Sequence, residues 1–206
     1  MRTPLDGIPA LKTDKVFPFM LDDAQIAELL KASKHGAKTG LRNHLIFLLF
    51  LDCGLRLNEL IGLRLDNVSL AQRSLKVHGK GSKERIVFIG SQTAKTMKRF
   101  LELRGITPGG SDYVFLDRKG EPLKPRWVQE IIARVGKRAK CPQRVSPHRL
   151  RHVAATLAVR NGMDPFSLQR LFGWENLDTA MRYVNAASPA LHEAHAKASP
   201  VDRLSG

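Results

Sequence analysis

The sequence has few cysteines, few aromatic side chains and a shortage of acidic residues. Its two cysteines, Cys53 and Cys141, form no Cys-x-x-Cys pair and have no cysteine or histidine at a zinc-ligand spacing, so neither a disulfide framework nor a structural zinc site is indicated. No apolar run reaches the roughly 18 residues that a transmembrane helix requires. No apolar signal segment follows Met1. These absences predict a cytoplasmic protein with reduced thiols.

The shortage of acid leaves a large positive charge. Lysine and arginine number 34 against 19 aspartates and glutamates, which gives a net charge of +15 and a pI near 10.3. This excess favours a polyanionic partner, because each phosphate contact releases condensed counterions. Ribosomal proteins and proteins of membrane surfaces can be equally basic, so charge alone leaves these classes open. The 206 residues, 43% of them hydrophobic, suffice for one globular domain.

The apolar periodicity predicts a mainly helical domain with one small antiparallel β-sheet, an α+β fold. Asp22 with Gln25 resembles a capping box, and Ser146 before a proline is typical of a helix start. Helices are predicted at 22–32, 41–53, 57–63, 93–103, 124–138, 146–162, 164–172, 178–184 and 189–197, and strands at 74–77, 85–89 and 113–116. In the basic helix at 124–138, Trp127 is expected to face inward.

Five side chains with cationic, acid–base or nucleophilic groups, and one tryptophan, follow one another along the chain. They are Arg56 in GLRLNEL, Lys80 in GKGSKER, His148 and Arg151 in SPHRLRH, and Trp174 and Tyr183 further on. Transfer of a phosphodiester builds negative charge on the non-bridging oxygens. Two guanidinium groups suit that charge, since each offers a planar fork of donors and stays protonated.

The remaining members supply a nucleophile and its support. A phenol with a pKa near 10 needs a base or nearby cations before it attacks phosphorus, so Tyr183 is a candidate nucleophile. The other tyrosine, Tyr113, lies in an alternating apolar segment and is expected to pack. Glu59, three residues after Arg56 in a predicted helix, is placed to support an arginine or a nearby histidine.

These motifs resemble the tyrosine recombinase (phage integrase) family, over residues 21–204, and in particular its C-terminal catalytic domain. The resemblance implies the DNA-breaking–rejoining fold and a site-specific recombinase of prokaryotic or phage origin. Tyr183 would cut one strand at a time, leaving a 3′-phosphotyrosine and a free 5′-hydroxyl. Its partners would be double-stranded DNA and other protomers in a tetramer, and no metal or other cofactor would be needed.

The resemblance also implies individual roles. His148 would contact the phosphate and help to accept the Tyr183 proton, and His152 would be a supporting residue. Lys80, at the tip of a predicted hairpin, would protonate the leaving 5′ oxygen. Trp174 replaces a histidine that many members carry, so it would donate one hydrogen bond to the phosphate without acid–base chemistry, or would only pack.

Several alternatives remain at this point. His148 and His152, at i and i+4, could ligate zinc, although no third ligand is evident. Their helix could also simply touch the DNA backbone. A type IB topoisomerase activity shares the same chemistry, and a non-catalytic DNA-binding domain could keep the same fold. The side chains expected to bind DNA outside the catalytic set are Lys83, Lys124, Arg126 and Arg134.

The expected domain organisation has three parts. Residues 1–20 predict a leader or linker, 21–185 the catalytic domain, and 186–206 a tail helix that docks on a neighbouring protomer. The family's N-terminal core-binding domain is predicted to be absent. The chain would then be either an isolated catalytic fragment or a naturally short recombinase.

Overall fold

The computed structural model describes residues 21–36, 39–79, 84–105 and 110–187. Within them, helices α1–α8 span Asp23–Ser33, Gly40–Cys53, Leu57–Ile61, Ser91–Arg104, Pro125–Arg138, Pro147–Arg160, Pro165–Phe172 and Leu177–Ala187, and strands β1–β3 span Val68–Ser69, Ser74–His78 and Glu84–Phe88. A short 3₁₀ turn, Leu65–Asn67, precedes β1. The three strands form one antiparallel sheet in the order β1-β2-β3. This confirms the predicted fold class.

Helix α2 forms the centre of the main core because nearly every face of it is apolar. Its buried residues include Leu45, Phe47 and Phe50, and it packs against α1, α4 and α6. A helix that is apolar all round must be covered on all sides. The inner faces of α5 and of the sheet complete this core through residues such as Ile132 and Val87.

A smaller apolar cluster joins α6, α7 and α8. Its buried members are Ala154, Ala155, Leu168, Phe172, Ala180 and Tyr183. Alanines at these contacts let the helices approach closely, because the distance between packed helices depends on the side chains between them. This packing brings Tyr183 of α8 against α6.

The sheet positions a hairpin beside this cluster. In the β2–β3 pair, Leu75 lies opposite Val87 and both are buried, whereas Lys76 and Ile86 face outward. The alternation satisfies the two-residue period of a half-buried strand. The hairpin was predicted correctly, but its tip, residues 80–83, lies outside the described residues.

The helix starts follow local chemistry. Asp22 accepts a hydrogen bond from the Gln25 N–H at 2.7 Å, and the Gln25 side chain accepts one from the Asp22 N–H at 3.1 Å. Ser146 accepts from the Arg149 N–H at 3.3 Å, and Asp164 accepts from the first turn of α7. Each cap satisfies a backbone donor that has no partner inside its helix.

Two expectations were wrong. Trp127 does not face inward and is 53% exposed. It lies about 100° around the helix from Val128, outside the narrow buried stripe of α5. The predicted strand at 113–116 forms only isolated bridges, one from Tyr113 to Arg64 and one from Leu116 to Pro122, because its backbone bonds go to two different loops. The predicted helix at 189–197 lies outside the described residues.

Candidate active site

The two arginines singled out by the sequence come from distant segments and meet at the end of α7. Arg56 precedes α3, and its Nη2 donates to the Gly173 carbonyl at 2.8 Å. Arg151 of α6 is buried and donates to the carbonyls of Gly54 and Phe172. Burial, together with the nearby Arg56, lowers the pKa of Arg151 to about 10, so it stays charged at neutral pH.

Glu59 is the carboxylate that binds Arg56. Its side chain is only 2% exposed. It accepts hydrogen bonds from the Arg56 N–H at 2.7 Å and from Arg56 Nη1 at 2.9 Å. Burial opposes its ionisation, but hydrogen bonds from Arg85 and Arg56 outweigh this and hold the pKa of Glu59 below its ordinary value. Of the two partners expected for Glu59, the structure therefore shows arginine.

The third arginine at this place, Arg85 of β3, was not singled out in the sequence. Both of its terminal nitrogens donate to Glu59, one of them at 2.9 Å, and its Nε donates to the Leu171 carbonyl at 3.1 Å. A signal was available: Arg85 is in phase with the inward-facing Val87 and Ile89. An arginine in such a position needs an acidic or carbonyl partner inside the protein.

The last carbonyls of α7 hold all three guanidinium groups. The Leu171 carbonyl accepts from Arg85, that of Phe172 from Arg151, and that of Gly173 from Arg56. The carbonyls at a helix C-terminus have no partner within the helix, and the helix dipole places partial negative charge there. The end of α7 is therefore well suited to gather cations.

Tyr183 lies beside this cluster with its hydroxyl inside the protein. The side chain is only 3% exposed, and its hydroxyl is hydrogen-bonded to His152 Nδ1. Its ring stacks on Trp174, with ring centres 5.1 Å apart and planes 6° from parallel. Burial raises the pKa of Tyr183 to about 12, although the nearby Arg151 acts in the opposite direction.

The sequence predicts that His148 helps to accept the Tyr183 proton, and the structure places His152 nearer to Tyr183. His152, not His148, contacts Tyr183, and the Nε2 atoms of the two histidines are 2.7 Å apart. Burial, and after it the neighbouring His148 and Arg151, lower the pKa of His152 to about 4, so His152 is neutral at pH 7. Spacing in the sequence puts both rings on one side of a helix, but the packing of α6 against α8 decides which of them is nearer to Tyr183.

A groove of about 1700 Å³ opens beside the cluster. Arg56 and Trp174 line it, as do Gly79 and Glu84, the residues on either side of the undescribed hairpin tip. Lys80 and Lys83 belong to that tip and lie outside the described residues.

The other expected DNA-binding residues lie apart from the groove. Lys124, Arg126 and Arg134 are exposed at the start and on the outer face of α5, and none of them lines the groove. Arg126 is engaged by Glu130 of the same helix, with its Nε 2.9 Å from the carboxylate. The structure therefore places these side chains outside the lining of the groove.

No metal site or membrane span is found in the described part of the chain. Among residues 21–36, 39–79, 84–105 and 110–187, no group of three or more His, Cys, Asp or Glu side chains could hold a metal ion. The pair His148 and His152, considered as zinc ligands, are hydrogen-bonded to each other. The same residues contain no helix long and apolar enough to cross a membrane.

Comparison with known sequences gives close agreement along the whole chain. The sequence profile of the phage integrase family matches residues 20–189. Tyrosine recombinase XerC of Pelobacter propionicus is 33% identical over 204 residues, which cover 98% of this chain and 67% of the relative. Tyrosine recombinase XerD of Pseudomonas aeruginosa is 36% identical over 200 residues, which cover 93% of this chain and 67% of the relative. The chain thus spans about two thirds of the length of these relatives.

Solved structures agree with the sequence comparison. The crystal structure of XerA recombinase is similar with a TM-score of 0.75 and 27% identity, covering 89% of this chain and 66% of XerA. XerH recombinase, crystallised with its palindromic difH substrate after cleavage, shares the fold with a TM-score of 0.76 at 24% identity, covering 95% of this chain and 56% of XerH. By sequence and by fold, the chain belongs to the phage integrase family of tyrosine recombinases.

Proposed function

We propose that this protein is a site-specific DNA recombinase that cuts and rejoins DNA through a covalent 3′-phosphotyrosyl link at Tyr183. The observation that carries the proposal is the meeting of Arg56, Arg151, His152 and Tyr183 where α6, α7 and α8 join. The curated relatives XerC and XerD are named tyrosine recombinases, which supports the same activity here.

The arginines would bind the scissile phosphate. Arg56 is held on one side by Glu59 and by the Gly173 carbonyl, yet 41% of its side chain remains exposed. Its unused N–H groups can reach a phosphate in the groove. The buried Arg151 adds positive charge next to it. Donors fixed before the substrate arrives stabilise the developing charge without reorganisation.

Proton transfer would run through the histidines. The Tyr183 oxygen attacks phosphorus and gives its proton to the neutral His152, and His148 connects His152 to the solvent. The bond from phosphorus to the 5′ oxygen breaks, and Lys80 protonates that oxygen. Rejoining follows when the 5′-hydroxyl of a partner strand attacks the phosphotyrosine and Tyr183 recovers its proton.

Tyr183 must move before it can attack. Its hydroxyl is buried against His152, whereas Arg56 faces the groove. The high pKa of Tyr183 also keeps the phenol protonated and weakly nucleophilic in this state. Once the Tyr183 proton has passed to His152, a shift of α8 on binding DNA would bring the oxygen to the phosphate. The state described here would then be a resting state.

The finer parts of the proposal are as follows. The enzyme would act in the cytoplasm without a metal ion, as a tetramer on double-stranded DNA, with Lys83, Lys124, Arg126 and Arg134 adding contacts to the duplex. Relaxation of DNA alone, as in a type IB topoisomerase, and DNA binding without catalysis are the alternatives. The recombinase relatives favour strand exchange over both.

A nicked duplex tests the chemistry directly. The site would first be selected from a random library of duplexes by binding. It would then be nicked just beyond the cleavage position, so that the short fragment with the free 5′-hydroxyl diffuses away and the covalent adduct accumulates. Wild-type protein should form an adduct that resists detergent. Tyr183→Phe should form none, because the attacking oxygen is missing, whereas Tyr113→Phe should react like wild type. An adduct with Tyr183→Phe would show that another residue is the nucleophile.

A further inference from the structure

Arg85 makes three hydrogen bonds to the arginine cluster. Its side chain is 14% exposed, and each of its three nitrogens is engaged, two by Glu59 and one by the Leu171 carbonyl. Arg85 lines the groove, but it is far less exposed than Arg56, whose side chain is 41% exposed, so Arg56 is the better placed of the two to bind a phosphate. The hydrogen bonds of Arg85 point instead to a role exerted through its partners.

One of those partners also holds Arg56, because Glu59 binds the Arg56 backbone N–H and side chain. The other partner, the Leu171 carbonyl, lies two residues before the Gly173 carbonyl that accepts from Arg56. Arg85 thus binds one support of Arg56 directly and the same turn of chain that carries the other. The contacts join three segments: β3, α3 and the end of α7.

We propose that Arg85 is a positioning residue for cleavage, which fixes Arg56 through Glu59 and through the end of α7. The inference rests on the function proposed above. β3 follows residues 80–83 directly in the sequence. The Arg85 side chain therefore also connects the strand after Lys80 to the arginine cluster.

The charges explain why Arg85 is needed. Glu59 carries one negative charge inside the protein and shares it between two guanidinium groups. Without Arg85, that carboxylate would lose its two-point partner, and an unsatisfied buried charge is costly. Glu59 would then take further N–H groups of Arg56, which the phosphate requires. Loss of Arg85 should therefore disable Arg56 although Arg56 itself is still present.

Gly173 gives independent support for this assignment. It ends α7 in the left-handed conformation, with φ of +60°. A Cβ at this position would lie 2.9 Å from Arg85 Cδ and 3.0 Å from its Nε. A Cβ would therefore crowd the Arg85 side chain, which crosses close to the end of α7 as well as being bonded to it.

The test is a double-mutant cycle on single-turnover cleavage of the nicked duplex at saturating protein. Arg85→Ala should slow cleavage by about 30-fold or more, and Arg56→Ala by about 10²-fold. The double variant should be at most about threefold slower than Arg56→Ala, because the rate losses of residues that act as a unit do not add. Arg99→Ala, which removes one exposed charge of α4, should cleave at the wild-type rate.

A second variant and a second readout separate positioning from folding. Arg85→Lys keeps the charge but cannot bind Glu59 at two points, so it should fold and recover part of the rate, staying about tenfold below wild type. DNA affinity of both Arg85 variants should stay within about threefold of that of Arg99→Ala, because each loses at most one of many charges. In NMR titrations of Arg85→Lys, the Glu59 carboxyl should titrate at higher pH than in wild type.

The outcomes distinguish the two proposals. If wild-type protein forms no adduct, the proposed function is wrong, and a role of Arg85 in cleavage falls with it. If wild type forms the adduct and Arg85→Lys cleaves equally fast, only the inference about Arg85 is wrong. Losses that multiply in the cycle would also overturn it, since Arg85 would then act independently of Arg56.

Discussion

The two halves of the site are held in very different ways. On the arginine side, three guanidinium groups make hydrogen bonds to Glu59 and to backbone carbonyls, so each has several fixed partners. On the tyrosine side, the contacts described for Tyr183 are a hydrogen bond to His152 and ring contacts with His152 and Trp174. The difference indicates a phosphate-binding half held by charged hydrogen bonds and a nucleophile half packed in an apolar and aromatic cluster.

Removal of Arg151 should have the largest effect on the phosphate-binding half. Arg151→Ala takes away a buried cation and leaves the Gly54 and Phe172 carbonyls without their donor. Cleavage should fall by about 10²–10³-fold. Thermal unfolding should occur at a lower temperature, because buried acceptors without partners are costly. Arg99→Ala is the matched control, and equal cleavage rates for the two variants would contradict the assignment.

Substitution of the histidines sharpens the comparison on the tyrosine side. His152→Ala should slow cleavage by about 10²-fold, because it removes the group that takes the Tyr183 proton. His148→Ala should cost less, since His148 touches His152 and not Tyr183. Rates are to be measured on the nicked duplex. A larger loss from His148→Ala would restore the order expected from the sequence.

Acid should weaken the tyrosine side through His152. Because the pKa of His152 is lowered to about 4, the unfolded chain binds more protons at this side chain than the folded protein does. The stability from this group is present above about pH 6.5 and is lost as the pH falls towards about pH 4. Urea unfolding at several pH values in this window would measure it. His152→Gln should show a weaker dependence, and an unchanged one would contradict the assignment.

The smallest effect is expected from removal of metal ions. With excess EDTA, the cleavage rate should stay within about twofold of the rate without it. Two arginines and Lys80 provide the positive charge that a divalent ion provides in many nucleases. Restoration of lost activity by Mg²⁺ would contradict the proposed mechanism.

Local features of the fold could be predicted from the sequence because their causes are local. The caps at Asp22 and Ser146 depend on one side chain and the next three residues, and both are present. The burial of Trp127 could not be judged in this way, since the width of the buried stripe on α5 is set by the elements packed against it.

The candidate site likewise has some parts that the sequence predicts and others that it does not. The motifs name Arg56, Arg151 and Tyr183, and the structure brings them together. Which histidine lies nearer to Tyr183, and whether Arg85 joins the cluster, depends on how α6, α8 and β3 pack. The spacing of residues along one helix or strand does not predict that packing.

The gathering of cations at the end of α7 bears on which changes the sequence can tolerate. The accepting atoms at 171–173 belong to peptide bonds, so no change of side chain can delete them. Insertion or deletion of a single residue between 170 and 174 would instead rotate and shift the whole set, and Arg56, Arg85 and Arg151 would lose their acceptors together. Natural variation in this turn should therefore consist of replacements at constant length.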